Sequence, residues 1–208
     1  MSLVPTSTFP GIVLASASPR RMELLRQIGV SFTVVEHQVN EEVLPGEEPQ
    51  GYVQRLALEK ARSAQSSRMT DDLPVLGADT IVVCGGQILG KPRDREDAQR
   101  MWALLSNTEH QVYSAVALCQ GERALGQMSM TTVRFRELSP VDCDHYWASG
   151  EPLGKAGAYA IQGLGALFVH SLSGSYSGVV GLPLFETAQL LAHFGVRTGL
   201  DDTPGSPA

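Results

Sequence analysis

Cysteines, aromatic residues and long hydrophobic runs are all scarce in this 208-residue sequence. Its three cysteines, Cys84, Cys119 and Cys143, lie far apart without CxxC spacing or paired histidines nearby, which indicates reduced thiols rather than a zinc site or a disulfide framework. No segment reaches the roughly 18 apolar residues of a membrane span, and the first ten residues lack a signal-peptide pattern. We therefore expect a cytoplasmic protein without a membrane partner.

Positive charge is also limited. Lys and Arg together number 16 against 22 Asp and Glu, which gives a formal net charge of −6. Bulk nucleic-acid binding depends on a broad basic surface, so nucleic acid is not an expected partner. With 43% hydrophobic residues the chain can bury one good core, or two small lobes that share one. The basic residues of interest sit beside glycines and carboxylates, which favours a small anionic ligand.

Alternating strand and helix patterns predict an α/β protein. An apolar run over 11–15 leads into a helix that begins at Pro19. The other predicted elements are a strand over 31–36, a helix over 49–67, strands over 75–83 and 87–89 joined by Gly85-Gly86, a helix from Asp94 through Leu105, long strands near 110–120 and 124–137, a short helix from Pro140 to Trp147 and a helix from Leu184 to Phe194. We expect one domain over 11–197, a flexible segment over 1–10 and a disordered tail over 198–208.

Residues 16–21 (SASPRR) begin a helix with two positive side chains, where helices normally favour negative ones. Ser18 is the expected N-cap and Pro19 the first helical residue. The helix N-terminus carries about half a positive charge, so Arg20 and Arg21 repel that end of the helix dipole. A bound phosphate would compensate this repulsion. The alternative is two solvated arginines beside an ordinary cap.

Asp79 is an acid in an otherwise apolar strand, 75–83. An isolated buried carboxylate is costly, so Asp79 should pair with a cation or be poised to take a proton. A structural hydrogen-bond network is the alternative. The following hairpin brings Lys91 back alongside the same strand, within possible reach of Asp79, although a lysine before proline is also typical of a solvated turn.

A set of short segments in one order is more specific than any of these features alone: 14–21 (LASASPRR), 56–60 (LALEK), 77–80 (GADT), 91–92 (KP), 155–163 (KAGAYAIQG), 174–176 (GSY) and 179–184 (VVGLPL). Together they resemble the Maf family of nucleoside triphosphate pyrophosphatases over about residues 12–195. The resemblance implies a fold of the inosine-triphosphatase type, a mixed twisted sheet flanked by helices, with two lobes around a central nucleotide cleft. It also implies hydrolysis between the α and β phosphates, to a monophosphate and pyrophosphate, with Mg²⁺ or Mn²⁺.

The same resemblance implies a role for each residue that matches a family motif. Asp79 would be the general base that activates water, and Glu41 would help Asp79 to place the metal. The residues that would bind the substrate are Ser16, Arg20, Arg21, Lys60, Thr80, Lys91 and Gln162. These residue types suit the chemistry, because a triphosphate needs positive groups and N–H donors around it while magnesium prefers oxygen ligands.

Thr80 and Gln162, together with Arg21, resemble the family branch that acts on dTTP and UTP rather than on 7-methyl-GTP. A glutamine amide offers a donor and an acceptor together to a pyrimidine edge. The chain departs from the family at Gly154, where an acid is common, and at Gly178, where asparagine is common. The sequence leaves three alternatives open: modified pyrimidine nucleotides as substrates, a homodimer, and a regulator of cell division that binds nucleotide without turnover.

Overall fold

The structure, a computed structural model, describes residues 11–36, 38–66 and 73–201. The strands in these ranges are β1 (Ile12–Leu14), β2 (Phe32–Val34), β3 (Val75–Cys84), β4 (Gln87–Leu89), β5 (Glu109–Gln120), β6 (Arg123–Phe135) and β7 (Val169–Ser173). The α-helices are α1 (Pro19–Gln27), α2 (Pro49–Ser66), α3 (Arg95–Leu105), α4 (Pro140–Ala148), α5 (Tyr176–Val180) and α6 (Leu184–His193). Two short 3-10 helices span Ala156–Ala158 and Leu164–Phe168.

The strands form one mixed sheet in the order β2-β1-β3-β5-β6-β7, with β4 paired to β3. β1 runs parallel to β2 and β3, whereas the other pairs are antiparallel. The long strands β3, β5 and β6 form the centre, where helices cover both faces. The predicted mixed sheet flanked by helices is confirmed.

The predicted helix starts are also confirmed, and side-chain caps explain those of α3 and α4. The Asp94 side chain accepts a hydrogen bond from the Asp97 N–H at 2.8 Å at the start of α3. Ser139 and Asp142 form a reciprocal capping box at the start of α4. The sequence analysis missed β7 and α5, which are each five residues long and lie in the glycine-dense stretch 149–181, because so short an element shows no clear hydrophobic period.

Alternation along β3 separates two groups of side chains. Ile81 and Val83 pack with α2 on one face of the sheet, whereas Leu76 and Val82 belong to the larger core on the other face. Asp79 shares the α2 face with the first pair, and Thr80 points to the opposite face. Two adjacent predicted site residues therefore lie on opposite sides of the sheet.

The ends of the predicted domain fall partly outside the described residues. Residues 1–10 and 202–208, from the segments predicted to be flexible and disordered, are not among them. Residues 198–201 form a turn in which the Gly199 N–H donates to the Ile28 carbonyl at 2.8 Å. The boundary at 197 stays a prediction. None of the helices in the described ranges is long and apolar enough to cross a membrane.

Gly77 marks the close approach of α2 to β3, and its replacement tests this packing. A Cβ at this position would overlap the Ala57 carbonyl oxygen and lie 2.5 Å from the Ala61 nitrogen, so α2 itself would have to shift. We expect Gly77→Ala to lower the free energy of unfolding by about 1–3 kcal/mol or more in urea denaturation. The control is Gly126→Ala on β6, where the nearest atom lies at 3.6 Å. Equal stability of the two variants would contradict this packing argument.

Candidate active site

A cleft of about 720 Å³ opens along one edge of β3. β1 pairs with β3 as far as Leu76, and β4 joins the same edge at Val82. Between these points, no strand in the described part of the chain pairs with that edge, so both faces of β3 are reached from one opening. This gap explains how Asp79 and Thr80 can line the same cleft from opposite faces of the sheet.

The cleft brings together every predicted site residue, from six separate segments of the chain: Ser16, Arg20, Arg21, Glu41, Lys60, Asp79, Thr80, Lys91 and Gln162. Among the described residues that line it, five are Lys or Arg and two are Asp or Glu, an excess of three positive charges. The chain as a whole has a net charge of −6. Positive charge is therefore concentrated where an anionic ligand would bind.

Lys60 lies between the two carboxylates of the cleft. Its Nζ is 2.7 Å from Asp79 Oδ1 and 2.6 Å from Glu41 Oε1. The Lys60 side chain is 5% exposed and that of Asp79 11%, whereas that of Glu41 is 46% exposed. The predicted pairing of Asp79 with a cation is confirmed. The cation is Lys60, which compensates the charge of Asp79 within an apolar strand.

Lys91 occupies the mouth of the same cleft. Its Nζ lies 3.9 Å from Glu41 Oε2, and its side chain is 66% exposed. The hairpin thus brings Lys91 into the site as expected, but its closest acid is Glu41 rather than Asp79. At this distance and exposure the ion pair is weak, which leaves the ammonium available to a phosphate.

Glu41 is held in place by contacts between its loop and α2. The Tyr52 hydroxyl donates to the Glu41 carbonyl at 2.7 Å, and Arg55 donates to the Glu42 carbonyl at 3.0 Å. The Arg55 guanidinium also binds both oxygens of Glu47, at 2.6 and 2.7 Å, and lowers the pKa of that carboxyl to about 2. The acidic loop is therefore attached to the helix that carries Lys60.

The two arginines of α1 donate hydrogen bonds to backbone carbonyls, which the sequence did not predict. Arg20 Nε donates to the Val180 carbonyl at 3.2 Å, and Arg21 Nε to the Gly181 carbonyl at 2.9 Å. These carbonyls lie at the C-terminal end of α5, where a helix carries partial negative charge. The α5 carbonyls therefore compensate part of the charge of both arginines, and a bound phosphate at this place stays a prediction.

The start of α1 remains suited to an anion even so. Ser18 occupies the N-cap position as predicted, but its side chain makes no capping hydrogen bond. Ser16 Oγ instead accepts hydrogen bonds from the Ser18 N–H and from Arg21 Nη1, each at 3.2 Å. Burial lowers the pKa of both Arg20 and Arg21, which shows that these charges are incompletely solvated.

Thr80 makes hydrogen bonds within the protein, whereas Gln162 is exposed. Thr80 Oγ1 lies 2.9 Å from Ser114 Oγ, which itself donates to the Gly178 carbonyl at 2.6 Å. Ser114 has no second hydrogen to donate, so the Thr80 hydroxyl hydrogen goes either to Ser114 or to the Gly181 carbonyl, which lies 3.4 Å from Thr80 Oγ1. In both cases Thr80 has only lone pairs and its methyl group left for a ligand. Gln162 is exposed in the cleft, with an amide that can both donate and accept.

Lys155 is a cleft residue to which the sequence analysis gave no role, although it lies in the quoted KAGAYAIQG segment. Its Nζ donates to the Leu153 carbonyl at 3.0 Å, and burial, followed by the charge of Arg20, lowers its pKa. The Gly157 N–H donates to the Gly90 carbonyl at 3.0 Å, which draws this segment against the Lys91 turn. This contact joins positions far apart in the chain, so no local pattern predicted it.

The two departures from the family pattern have local explanations. Gly154 has a φ of +69°, a left-handed conformation that a residue with a side chain adopts only with strain. At Gly178 a Cβ would lie 2.7 Å from Ser129 Oγ and 3.2 Å from two side-chain atoms of Ser175. In this chain glycine therefore suits the backbone conformation at 154 and the crowded packing at 178.

The residues present fit a divalent cation that arrives with its substrate. Within 11–36, 38–66 and 73–201, no three His, Cys, Asp or Glu side chains are grouped so that they could hold a metal ion by themselves. Glu41 and Asp79 nevertheless lie next to each other, because both contact the Lys60 ammonium, so an ion bound beside that ammonium would be within reach of both carboxylates. Magnesium in nucleotide enzymes is often held by one or two carboxylates plus substrate phosphates, so two carboxylates are sufficient.

Comparisons with known proteins show what the whole chain is similar to. A family model described as Maf-like protein matches residues 11–194. A dTTP/UTP pyrophosphatase of Yersinia pestis is 54% identical over 183 residues, which cover 88% of this chain and 92% of that protein. Relatives with the same name from Bordetella parapertussis, 50% identical over 90% of this chain and 94% of their own length, and from Pseudoalteromonas atlantica, 48% identical over 89% and 97%, are also similar.

The positive lining predicts that inorganic pyrophosphate binds in the cleft and raises the melting temperature of the protein. We expect Lys91→Ala to weaken this binding by roughly threefold to tenfold, because it removes one charged contact to phosphate. Isothermal titration with pyrophosphate and Mg²⁺ measures the change. Arg62→Ala is the control, since Arg62 is exposed on α2 and does not line the cleft. Equal affinities of the two variants, or a melting temperature insensitive to saturating pyrophosphate, would contradict the anion site.

Proposed function

The chain belongs to the Maf family, and from that membership we propose that it hydrolyses dTTP and UTP to the nucleoside monophosphate and pyrophosphate. The observation that carries the proposal is that one cleft with an excess of positive charge holds a buried carboxylate, Asp79, beside four cations that are not ion-paired with it. The relatives named dTTP/UTP pyrophosphatases, which are similar over most of their length, support the reaction and the substrate class.

The triphosphate would lie between α1 and the Lys91 turn. Arg20 and Arg21 of α1, Lys91 of the turn after β4, and Lys155 all line the cleft. The first-turn N–H groups of α1 add donors with the polarity that phosphate prefers. Contacts from these separate segments would restrict the phosphate chain and so fix the position of the α phosphorus.

Asp79 is the residue we assign to water activation. It is the less exposed of the two cleft acids, and Lys60 holds its Oδ1 at 2.7 Å. Its orientation is therefore set before substrate binds, and Oδ2 is the oxygen that would accept a proton from the attacking water. Lys60 also keeps positive charge next to the reaction as negative charge shifts toward the leaving pyrophosphate.

Glu41 and Asp79 would hold the Mg²⁺ or Mn²⁺ ion. Such an ion, when bound, withdraws electron density from the phosphate oxygens and makes the phosphorus a better electrophile. Glu41 suits this role because its loop is attached to α2 through Tyr52 and Arg55 while its carboxylate remains partly exposed. The loop contacts would keep that carboxylate at the same place in each catalytic cycle.

Gln162 would read the base. The uracil and thymine edge presents acceptor, donor and acceptor groups, which an amide can match, whereas cytosine exchanges the donor and acceptor on one side. A mismatch leaves a buried polar group without a partner, which costs about 1–3 kcal/mol. Thr80 would support the same pocket through its methyl group and through the Ser114 and Gly178 contacts that set its shape.

Binding without turnover, as a regulator of cell division, would not explain Asp79. A buried carboxylate among phosphate-binding cations repels a triphosphate and therefore weakens simple binding. Its presence is useful when a water must lose a proton at that place. We propose that the enzyme acts on nucleotides of the cytoplasm, while the homodimer and the use of modified pyrimidine nucleotides stay predictions.

The bond that is cleaved can be tested directly. Purified protein is incubated with UTP, dTTP, CTP or GTP and Mg²⁺, and pyrophosphate and orthophosphate are measured separately. We expect UMP or dTMP with pyrophosphate, and a preference for UTP and dTTP of about tenfold or more. Formation of UDP and orthophosphate would overturn the assignment of the bond, and equal turnover of GTP would overturn the substrate class.

The Asp79→Asn variant tests the catalytic base. We expect turnover to fall by at least about two orders of magnitude, the usual scale for loss of a general base. The fold should survive, because Lys60 keeps its contact with Glu41 at 2.6 Å. Asp144→Asn is the control, since Asp144 is exposed on α4 and pairs with Arg95 outside the cleft. Normal turnover of Asp79→Asn, or loss of its folded circular dichroism spectrum, would indicate a structural role instead.

A further inference from the structure

The loop that carries Gln162 is fixed from behind the cleft by two side chains, Tyr146 and Glu151. The Tyr146 hydroxyl accepts a hydrogen bond from the Ala160 N–H at 3.0 Å and donates one to Glu151 Oε1 at 2.7 Å. Glu151 then accepts from the Leu164 N–H at 2.9 Å. These contacts hold the chain two residues before Gln162 and two residues after it.

Both carboxylate oxygens of Glu151 accept hydrogen bonds that hold this loop. Its Oε1 also accepts from the Gly165 N–H at 3.0 Å, so one carboxylate binds two successive backbone donors and a phenol. Burial alone would raise the pKa of Glu151, but these three hydrogen bonds outweigh it and lower the pKa. The carboxylate stays charged, and Tyr146, whose pKa is raised by burial and by Glu151, stays a donor.

The glycines of the loop are explained by the same pair. A Cβ at Gly163 would overlap the Glu151 carboxylate, and a Cβ at Gly165 would lie 2.7 Å from the Tyr146 hydroxyl. The backbone on either side of these contacts is therefore pressed against Tyr146 and Glu151. Such close approach leaves the loop little freedom to move relative to α4.

The position of the pair separates it from the site itself. Neither Tyr146 nor Glu151 lines the cleft, whereas Ala160 and Gln162 do. Tyr146 is 3% exposed and packs on Trp102 and Phe168 at ring-centroid distances of 5.6 and 4.9 Å. The pair thus connects the rigid aromatic core to the one residue of the loop with an amide in the cleft.

We propose that Tyr146 and Glu151 are positioning residues for base recognition, which act by holding Gln162 where its amide meets the pyrimidine edge. The inference rests on the proposed function, in that Gln162 is taken to read the base. Hydrogen bonds weaken steeply with misalignment, so a loop released at either end loses discrimination before it loses phosphate binding. Asp79 and three of the cations assigned to phosphate, Arg20, Arg21 and Lys91, belong to other segments of the chain and keep their places.

Binding of non-hydrolysable analogues tests the inference without turnover. The probes are the α,β-imido analogues of UTP and CTP with Mg²⁺, and the quantity measured is the ratio of their dissociation constants. We expect Tyr146→Phe and Glu151→Gln each to reduce the wild-type preference for the uridine analogue by about threefold to tenfold, the scale of one hydrogen bond. With UTP as substrate, KM should rise while kcat changes by less than about twofold.

Two further variants separate positioning from loss of stability. Ser139→Ala removes the N-cap of the same helix, α4, so it lowers the melting temperature without touching the loop. Ser139→Ala should leave the preference for the uridine analogue over the cytidine analogue unchanged. In a Gln162→Ala background, Tyr146→Phe should reduce the preference no further, because its effect is transmitted through Gln162.

The outcomes distinguish this inference from the proposed function. An unchanged preference in Tyr146→Phe and Glu151→Gln, an equal loss in Ser139→Ala, a further loss in the Gln162→Ala background, or no preference in the wild-type protein would each overturn the inference. If Tyr146→Phe does not fold, Glu151→Gln, which keeps the side-chain volume, decides. If the preference for the uridine analogue falls in Tyr146→Phe and Glu151→Gln as expected but the wild-type protein does not cleave UTP, the inference is supported and the proposed function is overturned.

Discussion

The contact on which the site depends is the pair of ion pairs made by Lys60. One ammonium group joins a carboxylate of β3 to a carboxylate of the acidic loop, at 2.7 and 2.6 Å. Asp79 can be charged in an apolar strand only because this cation reaches it. Lys60 reaches it because α2 packs directly on the backbone of β3, and this closeness requires Gly77, two residues before Asp79 on the same face. Helix packing and the electrostatics of the cleft are therefore set by the same backbone contact.

A second constraint is the gap in the pairing of β3. A continuous sheet would separate the two faces, and one ligand could then contact Asp79 or Thr80 but not both. Because β1 ends at Leu14 and β4 starts only at Gln87, the edge between them is accessible from both sides. In the function proposed above, the phosphate chain and the base both enter through this opening, and Asp79 and Thr80 act from opposite faces of β3.

Contacts between distant segments close the cleft. Arg20 and Arg21 bind carbonyls 160 residues further along the chain, at the end of α5, and Gly157 binds the carbonyl before Lys91. Through these contacts the glycine-dense region packs against the segments that carry Arg20, Arg21 and Lys91. The density of glycine there reflects close approach in particular, as at Gly163, where the Glu151 carboxylate occupies the space of a side chain.

Sequence by itself determined the element pattern except for β7 and α5, the caps at Asp94 and Ser139, and the family, because each depends on residues close together in the chain or on motifs in a fixed order. It also predicted that Asp79 needs a cation, since burial of a lone charge is costly wherever it occurs. Only the tertiary structure decided that the cation is Lys60 rather than Lys91 and that the arginines of α1 donate hydrogen bonds to carbonyls at the end of α5. It also decided that Lys155 lines the cleft and that Tyr146 and Glu151 hold the loop of Gln162. The physical reason is that these partners are brought together by the packing of the sheet and helices. A charged or hydrogen-bonding side chain in the sequence shows that a partner is needed, but it does not specify which distant group will be that partner.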